Sequence, residues 1–498
     1  MSERARGQES GRGGRLRDLR AGAATMAGKA VYAVLRAAGR SATTLPGRIA
    51  LSLDPSLLSR LARRHRILMV TGTNGKTTTA RMMTGILRRY GHTVVDNPAG
   101  ANMNSGLATA LLTGPGASRK APAGGIDLFA VLEVDEAAFA AAAADLAPEV
   151  CIVTNIFRDQ LDRYGERDAM RALIARGLAD AVRSREGNGI STVVLCADDP
   201  LCESLGDPHR SNPRVRLIRT GMDPADMQPG GGDGELPGEA AHCPDCQTRY
   251  RYHSVAYAHL GDYACPACGR VRPRPEVVFR VPDPGAEQPA VFAFADPAGG
   301  PGRVVATPMS IPGVHNLYNA AGALAAVTAV GIPFERACAL LGEVTPAFGR
   351  MERMELEGRT VWMILVKNPV GMDRALDHVC AAPDAGALFM LLNSADADGC
   401  DTSWIWDARF EDRELPGPLF VSGRRVWDMA LRLRYAGRPS ATLRADGDAG
   451  RMLAEALAAC PPDKALYVLP NYTAMLELRA GALRQYGVTV FGEGGDPA

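Results

Sequence analysis

Three groups of residues in this chain have types and spacings that can do chemistry. The first lies in "VTGTNGKTTTARMM", where an apolar stretch runs into Gly72, Thr73, Asn74, Gly75, Lys76, Thr77 and Thr78. Glycines at a strand-to-helix turn let backbone N–H groups close around phosphate, and the helix start favours its charge. A lysine there bridges the outer phosphates and a threonine hydroxyl can bind Mg²⁺. The lysines of the chain are Lys29, Lys76, Lys120, Lys367 and Lys464, so one at this point is more than a chance residue in a glycine turn. The second group is Cys243, Cys246, Cys265 and Cys268, spaced C-x₂-C-x₁₈-C-x₂-C. Four thiolates so spaced suit a closed tetrahedral Zn²⁺ site, structural because no open position remains for catalysis. Disulfides are the alternative. They are disfavoured because Cys151, Cys196, Cys202, Cys338, Cys380, Cys400 and Cys460 are scattered singly, several in apolar runs, as buried thiols of a reducing cytoplasm would be. The third group is "NSADADGCDTSWIWD", Asn393 to Asp407, with four aspartates, two of the four tryptophans and no basic residue. Such acid reads as a solvated turn, a metal or ribose site, or half of a catalytic device completed elsewhere.

These groups need elements to hold them. From Arg66, short apolar stretches ("RILMVTGT", "HTVVD", "DLFAVLEVD", "VCIVTNI", "STVVLCA", "VRLIRTG") alternate with helical ones, which predicts a mostly parallel sheet flanked by helices, an α/β fold. Residues 222–241, rich in Pro, Gly and acid, read as a linker into an inserted cysteine module over 222–280, with strands returning near Val291 and Val304. "GVHNLYNAAGALAAVTAVG" is a helix ended by glycine. A second alternation ("VWMILV", "ALFMLLN", "GPLFVSG", "ALYVLPNY", "VTVFG") predicts a separate Rossmann-like domain over 346–498, after a central domain over 45–345. Residues 1–44 read as a disordered basic tail and the start of a helix, without the apolar core of a signal peptide, and Met26 is an alternative start. At 498 residues, length suggests about three domains. No apolar run approaches the ~20 residues of a membrane span, and a net charge of +1 offers no global field for nucleic acid.

The loop is G-x-x-G-K-T, shorter than the usual G-x-x-x-x-G-K-[ST]. "TGTNGKTT" resembles the ATP loop of the Mur ligase family, enzymes that activate a carboxylate with ATP and couple it to an amine. "EVDE" ends an apolar strand where those ligases place a Mg²⁺-binding acid, which implies Glu133, with Asp135 as an alternative. "GVHNLYNAAGA" resembles their H-N-x-x-N segment near the nucleotide, which implies His315, Asn316 and Asn319. Taken singly, Glu133 would serve as a surface acid and His315 as a helix cap; the order and spacing of all three stretches carry the resemblance. The departures point further. No lysine occurs between Lys120 and Lys367, so the carbamylated lysine of generic members has no counterpart. "TNIFRDQLDRYGE" has Gln160 where they show histidine, and "LVKNPVGM" replaces a D-Y-A-H-N-P-like stretch. With "GANMNSG" and the cysteine insertion, these resemble the MurT-like branch, the ligase-like subunits of lipid II isoglutaminyl synthases, from about Leu45 to the C-terminus.

That resemblance implies a Mur ligase-like ATP-binding domain carrying a zinc ribbon, plus a Rossmann-like ligase domain. It implies ATP-dependent amidation of the α-carboxyl of D-glutamate in lipid II, through an acyl phosphate, at the inner face of the membrane. ATP, Mg²⁺ on Thr77 and Glu133, and structural Zn²⁺ are the expected cofactors. No cysteine sits in a G-x-C-x-G-like nucleophile turn, so ammonia must come from elsewhere, and the branch supplies a class I glutaminase-like (GatD-like) subunit in a heterodimer. Asp401 matches the aspartate thought to complete that partner's Cys-His pair, with Trp404 and Trp406 packing the loop. "NSADADG" departs from the N-D-x-x-A-D-G form of the branch, and Asp398 stays an alternative. Two other functions compete. An amino-acid-adding Mur or folate-type ligase is disfavoured by the missing lysine. A zinc-ribbon nucleic-acid-binding NTPase would bind RNA or DNA in a salt-sensitive way. The tyrosines, arginines and histidines between the cysteine pairs suit packing of a small ribbon better, given the near-zero net charge.

Overall fold

A computed structural model describes residues 3–40, 42–97, 100–115, 127–157, 167–230, 242–282, 289–295, 302–309, 313–344, 350–395 and 398–487. The chain divides into two compact units, the first ending at Val344 and the second formed mainly by Thr345–Ala498. No described helix is long and apolar enough to cross a membrane.

The first unit is built on β1 (Arg66–Thr71), β2 (Thr93–Asp96), β3 (Leu128–Glu133), β4 (Val150–Val153), β5 (Ser191–Cys196) and β6 (Val215–Met222), then β10 (Val277–Arg280), β11 (Ala290–Phe294) and β12 (Arg303–Thr307). Between β6 and β10 come β7 (Gln228–Pro229), β8 (Arg251–Tyr257) and β9 (Leu260–Ala264), a small sheet of their own. The large sheet runs β12-β11-β10-β6-β5-β4-β1-β3-β2. It is parallel from β2 to β10; β11 runs against both of its neighbours, so β12 returns to the direction of β10. Strands such as "RILMVT" and "VCIV" are apolar without alternation because helices cover both faces of a parallel sheet. β1 stands between β3 and β4, so the strand order reverses beside it, and open α/β sheets bind ligands in the crevice at the carboxyl ends of such strands. The helix Val314–Ala329, its residues Asn316 to Val327 all buried, packs on this sheet and on the helix Lys76–Tyr90.

In the second unit β13 (Arg350–Leu356), β14 (Arg359–Ile364), β15 (Ala385–Leu391), β16 (Leu419–Ser422), β17 (Leu443–Ala445) and β18 (Ala465–Pro470) form a sheet ordered β13-β14-β18-β15-β16-β17. All neighbours are parallel except the β13–β14 hairpin. β13 and β17 are edge strands, and charge along "RMERMEL" and "LRA" hides them from an apolar-run reading. "VTVFG" lies outside the described residues.

The N-terminal stretch is not the disordered tail that its composition suggested: Glu3–Ala37 is one helix. Alanine, leucine and arginine are strong helix formers, and small residues give the later part of this helix a packing face. Ala24 is fully buried with Ala50 and Leu112.

Candidate functional site

β1 delivers the phosphate loop to the crevice. Gly72 has φ +114°, and a Cβ there would lie 2.5 Å from Thr154 Oγ1 and 2.8 Å from the Asn155 carbonyl oxygen. Gly75 has φ +87°, and a Cβ there would sit 2.0 Å from Asn319 Oδ1. Both positions demand glycine for backbone conformation and for room. Asn155 fastens the loop from β4: its Oδ1 accepts the Asn74 N–H at 2.9 Å, its Nδ2 donates to the Asn74 carbonyl at 3.1 Å, and its own carbonyl accepts the Thr73 N–H at 3.0 Å. Gly75 is the N-cap of the helix Lys76–Tyr90, and no side chain caps this start. An anion is the partner that such a start accepts. Lys76, first in the helix, turns its ammonium back onto the Gly72 carbonyl at 2.6 Å and pairs with Glu136 Oε1 at 2.8 Å. Both side chains are nearly buried, at 9 % and 4 % exposure. Thr78 is buried in the helix, while Thr77 is half-buried.

The expected acids are close in the fold. Glu133 ends β3 in register with Val70 of β1, and Asn97 clamps its backbone, accepting the N–H and donating to the carbonyl, each at 2.9 Å. Asp135 is engaged as the N-cap of the helix Glu136–Leu146, accepting the Ala137 N–H at 3.1 Å. His315 and Asn316 lie in the first turn of the helix Val314–Ala329, and Asn319 Nδ2 donates to Asn316 Oδ1 at 3.2 Å. The first unit thus gathers the loop, the β3 acid and the H-N-x-x-N segment. Gln160 lies outside the described residues. Glu136 and Asn155 carry no motif signal of their own, although they stand in "EVDE" and "TNIF", at the ends of apolar strands.

The sulfurs of Cys243, Cys246, Cys265 and Cys268 all lie within 4.8 Å of one another, a set that could hold a metal ion. Hydrogen bonds from the Thr248 hydroxyl and N–H hold the Cys246 thiol down at about 6, ready to ligate as thiolate. Tyr250, Tyr252 and Tyr263 fill the small core beneath, with Tyr250 and Tyr263 edge to face at 5.0 Å.

In the second unit Asp398 and Asp401 have different surroundings. Asp398 is 7 % exposed and accepts the Thr473 N–H at 2.8 Å, the Thr473 hydroxyl and the Ala395 N–H at 3.2 Å. Asp401 is exposed, and its carboxylate accepts from the Ser403 N–H at 2.8 Å and the Ser403 hydroxyl at 2.9 Å. A cavity of about 300 Å³ opens in the same unit, at the carboxyl ends of β15 and β16, lined by Asn393, Arg424, Trp427 and Glu477.

The family model for the Mur ligase middle domain matches residues 70–228, and that for the MurT ligase C-terminal domain matches residues 365–475. The chain is 34 % identical over 464 residues to the lipid II isoglutaminyl synthase (glutamine-hydrolyzing) subunit MurT of Streptococcus pneumoniae, covering 91 % of this chain and 95 % of that one. It is 29 % identical to the Staphylococcus aureus subunit of the same name, over 80 % of this chain and 84 % of that one. Among solved structures it resembles MurF from Acinetobacter baumannii (TM-score 0.60, 17 % identity, 88 % of this chain and 80 % of that one). A pseudomurein peptide ligase type C from Methanothermus fervidus is similarly related (TM-score 0.59, 18 % identity, 89 % and 84 %). These structures share the fold. With a Mur ligase loop, the β3 acid beside it and likeness running through both units, the chain belongs to the Mur ligase family and, within it, to the MurT subunits.

Proposed function

We propose that this chain is the ligase subunit that amidates the α-carboxyl of D-glutamate in lipid II, forming D-isoglutamine for peptidoglycan. Mg²⁺-ATP would supply the phosphoryl group that activates the carboxylate. The loop N–H groups and Lys76 would hold its phosphates, Thr77 and Glu133 its Mg²⁺, and His315, Asn316 and Asn319, whose helix packs on the loop at Gly75, would flank the nucleotide. The residues fit: a glycine-cradled, uncapped helix start with a lysine suits a polyphosphate. The four clustered thiols fit a structural Zn²⁺. What carries this reading over an amino-acid-adding ligase is the stretch from Lys120 to Lys367 without a lysine. Ammonia would come from a class I glutaminase-like (GatD-like) partner, and the complex would work at the cytoplasmic face of the membrane that carries the substrate.

Asp401 is the residue we assign to the partner's catalytic group. A cysteine nucleophile needs a histidine base, and a third, acidic group orients that base. The exposure of Asp401 supports this role, and the internal hydrogen bonds of Asp398 argue against the alternative. Asp401→Asn is expected to keep complex formation and ATP binding, to suppress glutamine-driven amidation by at least roughly a hundredfold, and to spare amidation with added ammonia. Glutamine hydrolysis at the parent rate would remove Asp401 from the role. Failure with ammonia as well as glutamine would place it in the ligase reaction instead.

A further inference from the structure

The cysteine module does not hang from the first unit as a separate bead. It docks on two adjacent carboxylates, Asp198 and Asp199, at the end of β5, and both are fully buried. Asp198 Oδ1 accepts from Arg272 Nε at 2.7 Å, and Arg272 lies four residues beyond Cys268. Its Oδ2 accepts the Met222 N–H at 2.9 Å and the Tyr318 hydroxyl at 2.5 Å. Tyr318 belongs to "HNLYN" and directly precedes Asn319, whose side chain occupies the space that Gly75 leaves. Its ring meets Tyr257 of β8 edge to face at 5.6 Å.

The second carboxylate makes a parallel route. His259 of the module places Nε2 3.3 Å from Asp199 Oδ1. Asp199 Oδ2 accepts the N–H of Ile156 at 2.7 Å, and the residue before it, Asn155, holds Asn74 of the phosphate loop by two hydrogen bonds. Two contiguous paths therefore run from the module to the two halves of one loop. Arg272, Asp198, Tyr318 and Asn319 lead to Gly75, and His259, Asp199 and Asn155 lead to Asn74.

We infer that the cysteine module is a positioning device for the nucleotide loop, acting through Arg272, Asp198 and Tyr318, so that its metal-supported fold sets the affinity for Mg²⁺-ATP. This rests on the reading of the loop as a nucleotide site. A buried carboxylate with several donors has one good arrangement, and losing any donor leaves it short of a partner in a dry interior. Arg272 anchors it from the module and Tyr318 from the helix that shapes the loop. Both donate to Asp198 and neither belongs to the loop, so both are positioning residues. Their effect must appear in ATP binding rather than in the chemical step.

Tyr318→Phe removes one hydroxyl and leaves Asp198 with Arg272. In the full chain with its glutaminase partner, it is expected to keep the parent's zinc content and cooperative melting. The dissociation constant and KM for Mg²⁺-ATP should rise roughly three- to tenfold, a range typical of residues that transmit coupling without touching the ligand. At saturating ATP, kcat with ammonia should stay close to the parent value. Arg272→Gln should reproduce the ATP defect from the module's side, and Arg272→Lys, which keeps the charge, should recover part of it. A Tyr318→Phe chain that binds Mg²⁺-ATP as tightly as the parent would overturn the inference. So would an Arg272→Gln chain that loses stability while its folded fraction keeps the parent KM, since that is what a merely structural dock gives. A parent chain that does not bind Mg²⁺-ATP would instead bring down the nucleotide reading, and the inference with it.

Discussion

Lys76 is not waiting in open solvent for a phosphate. Its ammonium is held by Glu136 and the Gly72 carbonyl in a nearly dry site. Breaking a buried ion pair from one side strands the other charge, at a cost of about 3–5 kcal/mol. Lys76→Met is thus expected to do two separable things: to lower the melting temperature, and to reduce ATP-dependent amidation by at least about a hundredfold, the loss typical of one transition-state donor. Adding Glu136→Gln should restore much of the melting temperature and none of the rate. If denaturation curves show the double variant as unstable as the single one, the pair does not hold the loop. Lys76 was legible as a candidate because lysine is scarce and this one stands in a glycine loop at a spacing that suits phosphate. Glu136 was not, because its pairing follows from the adjacency of β1 and β3, which no local pattern encodes.

The element that carries Asp401 owes its shape to a side chain far along the chain. Arg432, on the helix Val426–Tyr435, donates to the carbonyls of Ile405 at 3.0 Å and Ala408 at 2.6 Å and to both Glu411 oxygens at 2.7 and 2.9 Å. Its guanidinium also lies 5.5 Å from the Trp406 ring centroid and 5.0 Å from that of Phe410. The expectation that both indoles pack the loop holds for Trp404, which lies against the core of the second unit, whereas Trp406 is 46 % exposed. In the tight turn Ser403–Trp406 it is Ile405 that points inward, at 1 % exposure. Hydrogen bonds from Arg432 pull the Glu411 carboxyl from 4.5 down to about 2. A carboxyl depressed in the folded state stabilises above its unfolded value, and that contribution fades as pH falls towards the folded one. The loop should therefore keep its tryptophan emission down to pH 4.5 and shift to the red between there and about 2. Arg432→Gln should show the red-shifted emission already at neutral pH. Emission that ignores both acid and the substitution would mean that Arg432 does not shape the loop.

At the scale of the whole molecule, the thiols separate into three populations. Cys151, Cys196, Cys202, Cys338 and Cys460 are buried, and burial pushes Cys151 and Cys338 up to about 12. Cys380 and Cys400 are exposed, and the remaining four are the cluster. Brief alkylation of the native, zinc-loaded chain should modify Cys380 and Cys400, and chelation beforehand should add the cluster. Peptide mass spectrometry showing Cys246 and Cys268 equally modified with and without chelator would remove the metal from the reading. The alternation of apolar runs and helices made both sheets legible, since central parallel strands have to be apolar on both faces. It failed at the margins, where β13 and β17 carry charge and where the N-terminal helix draws on propensity and on contacts with the helix Leu45–Leu53. The docking of the cysteine module on Asp198 and Asp199 was likewise beyond reach. "ADDP" looks like a turn until the fold buries it.

The placement of that module between β6 and β10 has a practical side for anyone redesigning the chain. These two strands are parallel neighbours, Thr220 beside Val277, so the polypeptide must travel from the end of one back to the beginning of the other. Parallel neighbours always need such a return, a dozen residues or more and usually a helix. Here the return leg includes the β8–β9 hairpin and the two cysteine pairs that flank it. Excision with a short splice would strand β10, β11 and β12 and expose the flank of β6, turning an interior strand into an adhesive rim. A minimal version of this enzyme therefore needs a replacement bridge, and a helical segment of the kind other parallel sheets use is the natural choice.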